Sequence, residues 1–159
     1  MKSQIIFILA ILCLLACNTK NKESSEMENH SAHSSEHIAD DRTKELMAIH
    51  DSLMLSMDKL MNLRNQISVE IKKNDSLIAI KPNASLTGRK ENAVQIRTQL
   101  EKADEEMMNW MHQYKADSLD KLGKEKAIAY VADQKQKIIS VKNLMQKSIG
   151  DAQLFIQNK

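Results

Sequence analysis

From Asp40 or Asp41, both plausible N-caps, apolar residues recur at alternating spacings of four and three: Leu46, His50, Leu53, Met57, Leu60, Arg64, Ile67, Ile71. A second line, Met47, Met54, Met61, runs beside this seam at intervals of seven. The period is that of an amphipathic helix, about 45 Å long for roughly 30 residues. Residues 74–85 carry Asp75, Ser76, Pro82 and Asn83 and read as a connection. A second helix follows, with the seam Leu86, Ala93, Ile96, Leu100, Ala103, Met107, Met111, Tyr114. Lys115, Asp117 and Ser118 break it, with one helical turn before Gly123. A third helix carries Ile128, Val131, Lys135, Ile138, Val141, Met145, Ile149, Ala152 and Phe155 or Ile156. No run of β-branched residues has period two. The pattern predicts helices over about 43–73, 86–114 and 124–157 within a body spanning 40–159. Long stripes joined by short connections favour an all-α, antiparallel up-down-up three-helix bundle with crossing angles of about 20°. A coiled-coil hairpin with a loosely docked third helix, or a dimer sharing helices, uses the same stripes.

Composition narrows the function classes. Three Gly, 1 Pro and 3% aromatics cannot supply the turns of a β-sandwich or doubly wound fold. Gly88, Gly123 and Gly150 lie too far apart for a phosphate-cradling loop. The 23 basic and 21 acidic residues are interspersed, giving a net charge of +2. No basic stripe stands out, and Phe7, Trp110, Tyr114, Tyr130 and Phe155 read as forming no stacking platform, so nucleic acid is not an expected partner.

The N-terminus reads as an address. Lys2 precedes an apolar run of 11 residues, 5–15, where a membrane-spanning helix needs about 20. The run closes on Leu14-Leu15-Ala16-Cys17, after which the chain turns polar. This tetrapeptide resembles the lipobox of bacterial lipoproteins. The resemblance implies a signal peptide over 1–16 and a Cys17 that is acylated on its thiol and on its new amino group. Cys13 then leaves with the signal peptide, and the mature body has no free thiol for a disulfide, a zinc site or a nucleophile. Residues 18–39 contain almost no large apolar side chain and read, with the lipidated Cys17, as a flexible tether.

A second resemblance rests on Met47-Ala48-Ile49-His50-Asp51, Met54, Met57, Met107-Met108-Asn109-Trp110-Met111 and Ala127-Ile128-Ala129-Tyr130-Val131. Over about 45–152 these segments resemble bacterial lipoproteins labelled "viral A-type inclusion protein". The likeness implies long-helix architecture and lipidation, and it carries no viral function and no catalytic residue to this chain.

Enzyme signatures are missing from the sequence. His50-Asp51-Ser52 has the letters of a hydrolytic triad, but successive helical residues point about 100° apart, which predicts no proton relay between them. Asp104-Glu105-Glu106 reads as a solvated face. Di-iron bundles need Glu-x-x-His twice, and the positions three before His50 and His112 are Met47 and Asn109.

The methionines are the main anomaly. Apart from Met1 nine remain, and seven fall in two windows: Met47, Met54, Met57, Met61, and Met107, Met108, Met111. A hairpin turning near residue 80 pairs residues whose numbers sum to about 160, which sets His50 against Trp110 and both windows at one end. Flexible, gap-filling packing is the leading reading, with Trp110 a packing residue and His50 a core histidine. The sharper alternative is a soft-metal site for Cu(I) or Ag(I) with His50, Met54, Met57 and Met111 as ligands. His30, His33 and His37 could chelate a divalent ion in a helical tether, or be incidental to a polar linker. Arg64 on the seam reads as a snorkelling side chain, with no ion-pair partner apparent.

These readings add up to a lipid-anchored, extracytoplasmic, non-enzymatic helical bundle. It is expected to serve as a binding or structural module of the bacterial cell envelope, attached to the membrane through Cys17, with an envelope protein as a further partner and no cofactor. The alternative is a Cu(I)-handling protein. A helical chaperone ranks last, because it needs an exposed apolar face and the stripes are assigned to the bundle.

Overall fold

A computed structural model describes the backbone of residues 29–158 and the side chains of 40–158. The expected signal peptide, Cys17 and the expected tether as far as residue 28 lie outside the described residues. Three helices, α1 (Asn29–Ile80), α2 (Ala84–Gln113) and α3 (Lys124–Gln157), pack each against both others, and a 3-10 turn (Ala116–Lys121) leads into α3. The described residues contain no strand, and the fold is the all-α three-helix bundle that the stripes predict. No described helix is long and apolar enough to cross a membrane.

Cross-helix pairs fix the topology. Arg64 meets Asp104 and Asp75 meets Lys90, so α1 and α2 run oppositely. Arg89 meets Asn158 and Ser148 meets Gln99, so α2 and α3 also run oppositely. Lys135 bonds Glu45 at 2.6 Å, and Leu63 and Gln153 flank one groove, so α1 and α3 run in parallel.

Both ends of α1 correct the sequence boundaries. The helix starts at Asn29, ahead of the Asp40 or Asp41 cap, and takes His30, His33 and His37 into its backbone. Residues 29–39 contain no Gly or Pro. A helix nucleated on the packed body propagates through such a polar stretch at little cost. At the other end α1 continues to Ile80, and the connection shrinks to residues 81–83. Asn74 is buried and prolongs the seam, while Ser76 Oγ donates to its own helix at Lys72 O and leaves the helix intact. Pro82 restricts Lys81 and ends the helix. Asn83 then caps α2, its side-chain oxygen accepting from the N–H groups of Ser85 (2.8 Å) and Leu86 (3.2 Å).

The core follows the predicted seams of α1 and α2, with Leu63, Glu70, Asn74 and Trp110 added to the buried set. On α3 the predicted seam holds at Val131, Ile138, Val141, Met145, Ile149, Ala152 and Phe155, moves by one residue at Ala127 and Gln134, and gains Ser148 beside Ile149. The buried line runs Ala127, Val131, Gln134, Ile138, Val141, Met145, Ser148, Ala152, Phe155, an unbroken four-three alternation that takes in the polar Gln134 and Ser148. Lys135, placed on the seam from sequence, is half-buried and reaches Glu45. Ser148 is fully enclosed. Its hydroxyl donates to Leu144 O at 2.8 Å and lies 3.2 Å from Gln99 O on α2, so the α2 backbone comes close to this side chain. Ser148→Leu is therefore expected to destabilise the bundle by roughly 1–3 kcal/mol through overpacking. Ser148→Ala should stay within about 1 kcal/mol of the parent, because the lost hydroxyl leaves no large void. Thermal unfolding of the two variants checks this. Equal melting temperatures would show that α2 and α3 are further apart here.

The apolar stripes are not all consumed, contrary to the expectation from sequence. Met54, Leu55, Met61, Val69, Leu77 and Ile80 on α1, and Met108 on α2, are exposed.

Arg89 organises the end of the bundle nearest the α1–α2 connection. α3 has no basic residue in its last turn. The Arg89 guanidinium, reaching from α2, donates to Asn158 O (2.9 Å) and Phe155 O (3.4 Å) and lies 4.3 Å from the centre of the Phe155 ring. It supplies the donors and the positive charge that a helix C-terminus lacks. Glu70 of α1 stands 3.8 Å from the same guanidinium.

Candidate functional site

The opposite end of the bundle gathers the residues singled out by their chemistry. His50 on α1 and Trp110 on α2 face each other with ring centroids 5.7 Å apart, the pairing that the hairpin register predicts. Trp110 stacks on Tyr114 one helical turn later at 5.2 Å, and Tyr114 stacks on Tyr130 of α3 at 6.2 Å. The four rings form a column through all three helices. The sequence did not foresee this mutual stacking, which is distinct from an exposed platform for nucleic-acid bases. The rings stack on one another, and Trp110 is only 5% exposed, so the column is a packing element.

The column also explains where α2 stops. The Tyr114 N–H closes the last turn on Trp110 O, and the Tyr114 backbone then turns extended. The next N–H, that of Lys115, donates to Tyr130 Oη at 2.8 Å. The α2–α3 junction is thus pinned by a side chain fifteen positions away.

Tyr114 Oη is enclosed and has no protein partner. Burial pushes its ionisation above the ordinary tyrosine range, with the charge of Tyr130 adding to the shift. Below pH about 10 the hydroxyl is neutral in both folded and unfolded chains, and its contribution to stability is intact. Above that the unfolded chain ionises first, and the contribution is lost as pH rises through the folded-state value. Tyr114→Phe should therefore melt at or above the parent temperature at pH 8, with an advantage that widens from pH 10 to pH 11. Parallel decline of the two chains would contradict this.

His50 is half-buried, and its Nδ1 lies 2.8 Å from Asp51 Oδ1. The two side chains reach around the helix surface to meet, which corrects the argument that consecutive residues cannot share a proton. Asp51 and Ser52 are both exposed. Met57 and Met111 are partly buried against the core, while Met54 is 41% exposed at the outer edge. Among the described residues no three His, Cys, Asp or Glu side chains converge in a metal-ligand arrangement. Among the described residues, the candidate soft donors beside His50 at this end are the thioethers of Met54, Met57 and Met111.

Arg64 finds the partner that the sequence did not identify: its Nη1 lies 3.2 Å from Asp104 Oδ2, both side chains half-buried between α1 and α2. Asp104 thus leaves the solvated face expected for 104–106, while Glu105 and Glu106 remain on it. Comparison of the chain with protein-family models, curated proteins and solved structures gives no match.

Proposed function

We propose that this chain is a lipid-anchored, extracytoplasmic helical bundle that acts as a non-enzymatic binding or structural module of the bacterial cell envelope, like the lipoproteins it resembles. The observation that carries the reading is Cys17 itself, set behind Leu14-Leu15-Ala16 at the end of an 11-residue apolar run and followed at once by polar sequence. The three-helix body is consistent with it: its central seams pack the helices together and several polar side chains fix helix ends and register, while apolar side chains such as Leu55 and Met61 remain on the surface. Cys17→Ala tests it: without the acylated thiol the chain leaves the membrane fraction or stays at precursor size.

A second reading is favoured by one detail. With His50 Nδ1 held by Asp51, Nε2 is the nitrogen left for a metal, and a carboxylate on the far nitrogen is the usual support of a ligating imidazole. In this reading Cu(I) or Ag(I) binds His50 with Met54, Met57 and Met111. Trp110 is the only tryptophan, so its fluorescence reports the site. One equivalent of Ag(I) should change it, Zn(II) should act far less, and Met54→Leu with Met57→Leu should abolish the response. Those substitutions cost under about 1.5 kcal/mol if the side chains only pack. No change with excess Ag(I) would dismiss the reading.

A further inference from the structure

On the side of Trp110 facing α3, a groove of about 400 Å³ runs between α2 and α3. Its apolar lining is Trp110, Val141 and Leu144. Lys102 of α2 and Lys137 of α3 also line it, with Glu106 the one carboxylate of the lining. Asn109 and Gln113 add side-chain amides along one wall. We propose that this groove binds a small carboxylate with an apolar body, the body on the indole, Val141 and Leu144 and the charge between the two lysines.

Three observations carry the proposal. The volume suits a ligand of about a dozen heavy atoms and falls within the range of small-molecule sites. The lysines stand on opposite walls, α2 and α3, and outnumber Glu106, the one acid among the lining residues. Lys137 is engaged only by Asp133 on its own helix, at 2.8 Å in an exposed pair that a ligand anion can replace. Finally, Trp110 lines the groove yet is only 5% exposed, so it offers the ligand a fixed apolar edge rather than a mobile ring. The ring is already clamped by His50 and Tyr114, so little ordering is required of it on binding.

The inference deepens the binding-module reading and rests on the folded body alone, independent of the anchor. Its test uses the full chain in phosphatidylcholine vesicles, which accommodate it whether or not Cys17 carries lipid and add no tryptophan of their own. The probes are 4-phenylbutyrate and, with the same body and opposite charge, 4-phenylbutylamine. Trp110 fluorescence should change saturably with the carboxylate in roughly the millimolar range. The amine should bind about tenfold more weakly. Lys102→Gln with Lys137→Gln should weaken the carboxylate roughly fivefold, because two partly exposed charges are lost, and should leave thermal unfolding unchanged. Ser140→Phe, projecting a ring into the groove, should abolish the response. Equal affinity for acid and amine, an unaltered affinity in the lysine variant, or no saturable change would overturn the proposal. None of these outcomes bears on membrane retention through Cys17, so the two readings fail separately.

Discussion

Leu100→Ala should destabilise the bundle by roughly 2–5 kcal/mol. Leu100 lies near the middle of α2, is fully enclosed, and belongs to the core cluster built from all three helices. Truncation removes the transfer energy of the lost methyl groups and leaves a cavity that three rigid helices cannot collapse around. Domains of this size are stable by about 5–15 kcal/mol, so one such change removes a large share. Leu55→Ala is the matched control. Leu55 is also helical but 86% exposed, and its truncation should fall within about 0.5 kcal/mol of the parent. Urea unfolding should show a lower midpoint for Leu100→Ala at an unchanged slope, and no shift for Leu55→Ala. Equal shifts would mean that the α2 seam faces the wrong way.

That contrast marks what periodicity can and cannot reveal. The seams of α1 and α2 were legible because large apolar residues occupy them, and hairpin arithmetic on those seams placed His50 on Trp110 correctly. On α3 the same reasoning placed Ile149 in the core correctly, but it followed the apolar letter Ile128 to a half-buried position and missed Ser148. A small polar residue is buried there because a neighbouring backbone comes close, which leaves no periodic trace. The ends of α1 were misjudged for a related reason: polar composition argues against a core, but does not argue against a helix. Contacts set by tertiary approach were invisible altogether. The Arg89 clamp on the end of α3, the Arg64–Asp104 pair and the Lys115–Tyr130 hydrogen bond span between 15 and 69 positions. Each joins residues of common type with no motif around them. For the candidate site, sequence supplied the residues and their shared end of the bundle, and the structure supplied the aromatic column and the Asp51 contact.

Cys17→Ala should have the largest effect of any single change on where the protein resides. Each buried CH₂ of an acyl chain contributes about 0.8 kcal/mol, yet a single chain holds a protein to a bilayer only marginally, and two or more make attachment stable. On the proposed reading, acylation at the thiol and amino group of one residue would concentrate all of that energy at position 17. Loss of the thiol removes it in one step, while the helical body, whose described core begins at Leu46, is untouched. The variant is expected either in the soluble fraction or in the membrane at uncut precursor size. A mature-sized Cys17→Ala chain retained in the membrane would require another anchor.

The most direct test of the lipoprotein reading is the intact mass of the wild-type chain extracted from membranes, with its N-terminal peptide sequenced by fragmentation. The account predicts a chain that begins at Cys17 and exceeds the mass of residues 17–159 by its acyl chains, all carried on that first residue. A mature chain that starts anywhere else, or that starts at Cys17 with no added mass, would contradict it.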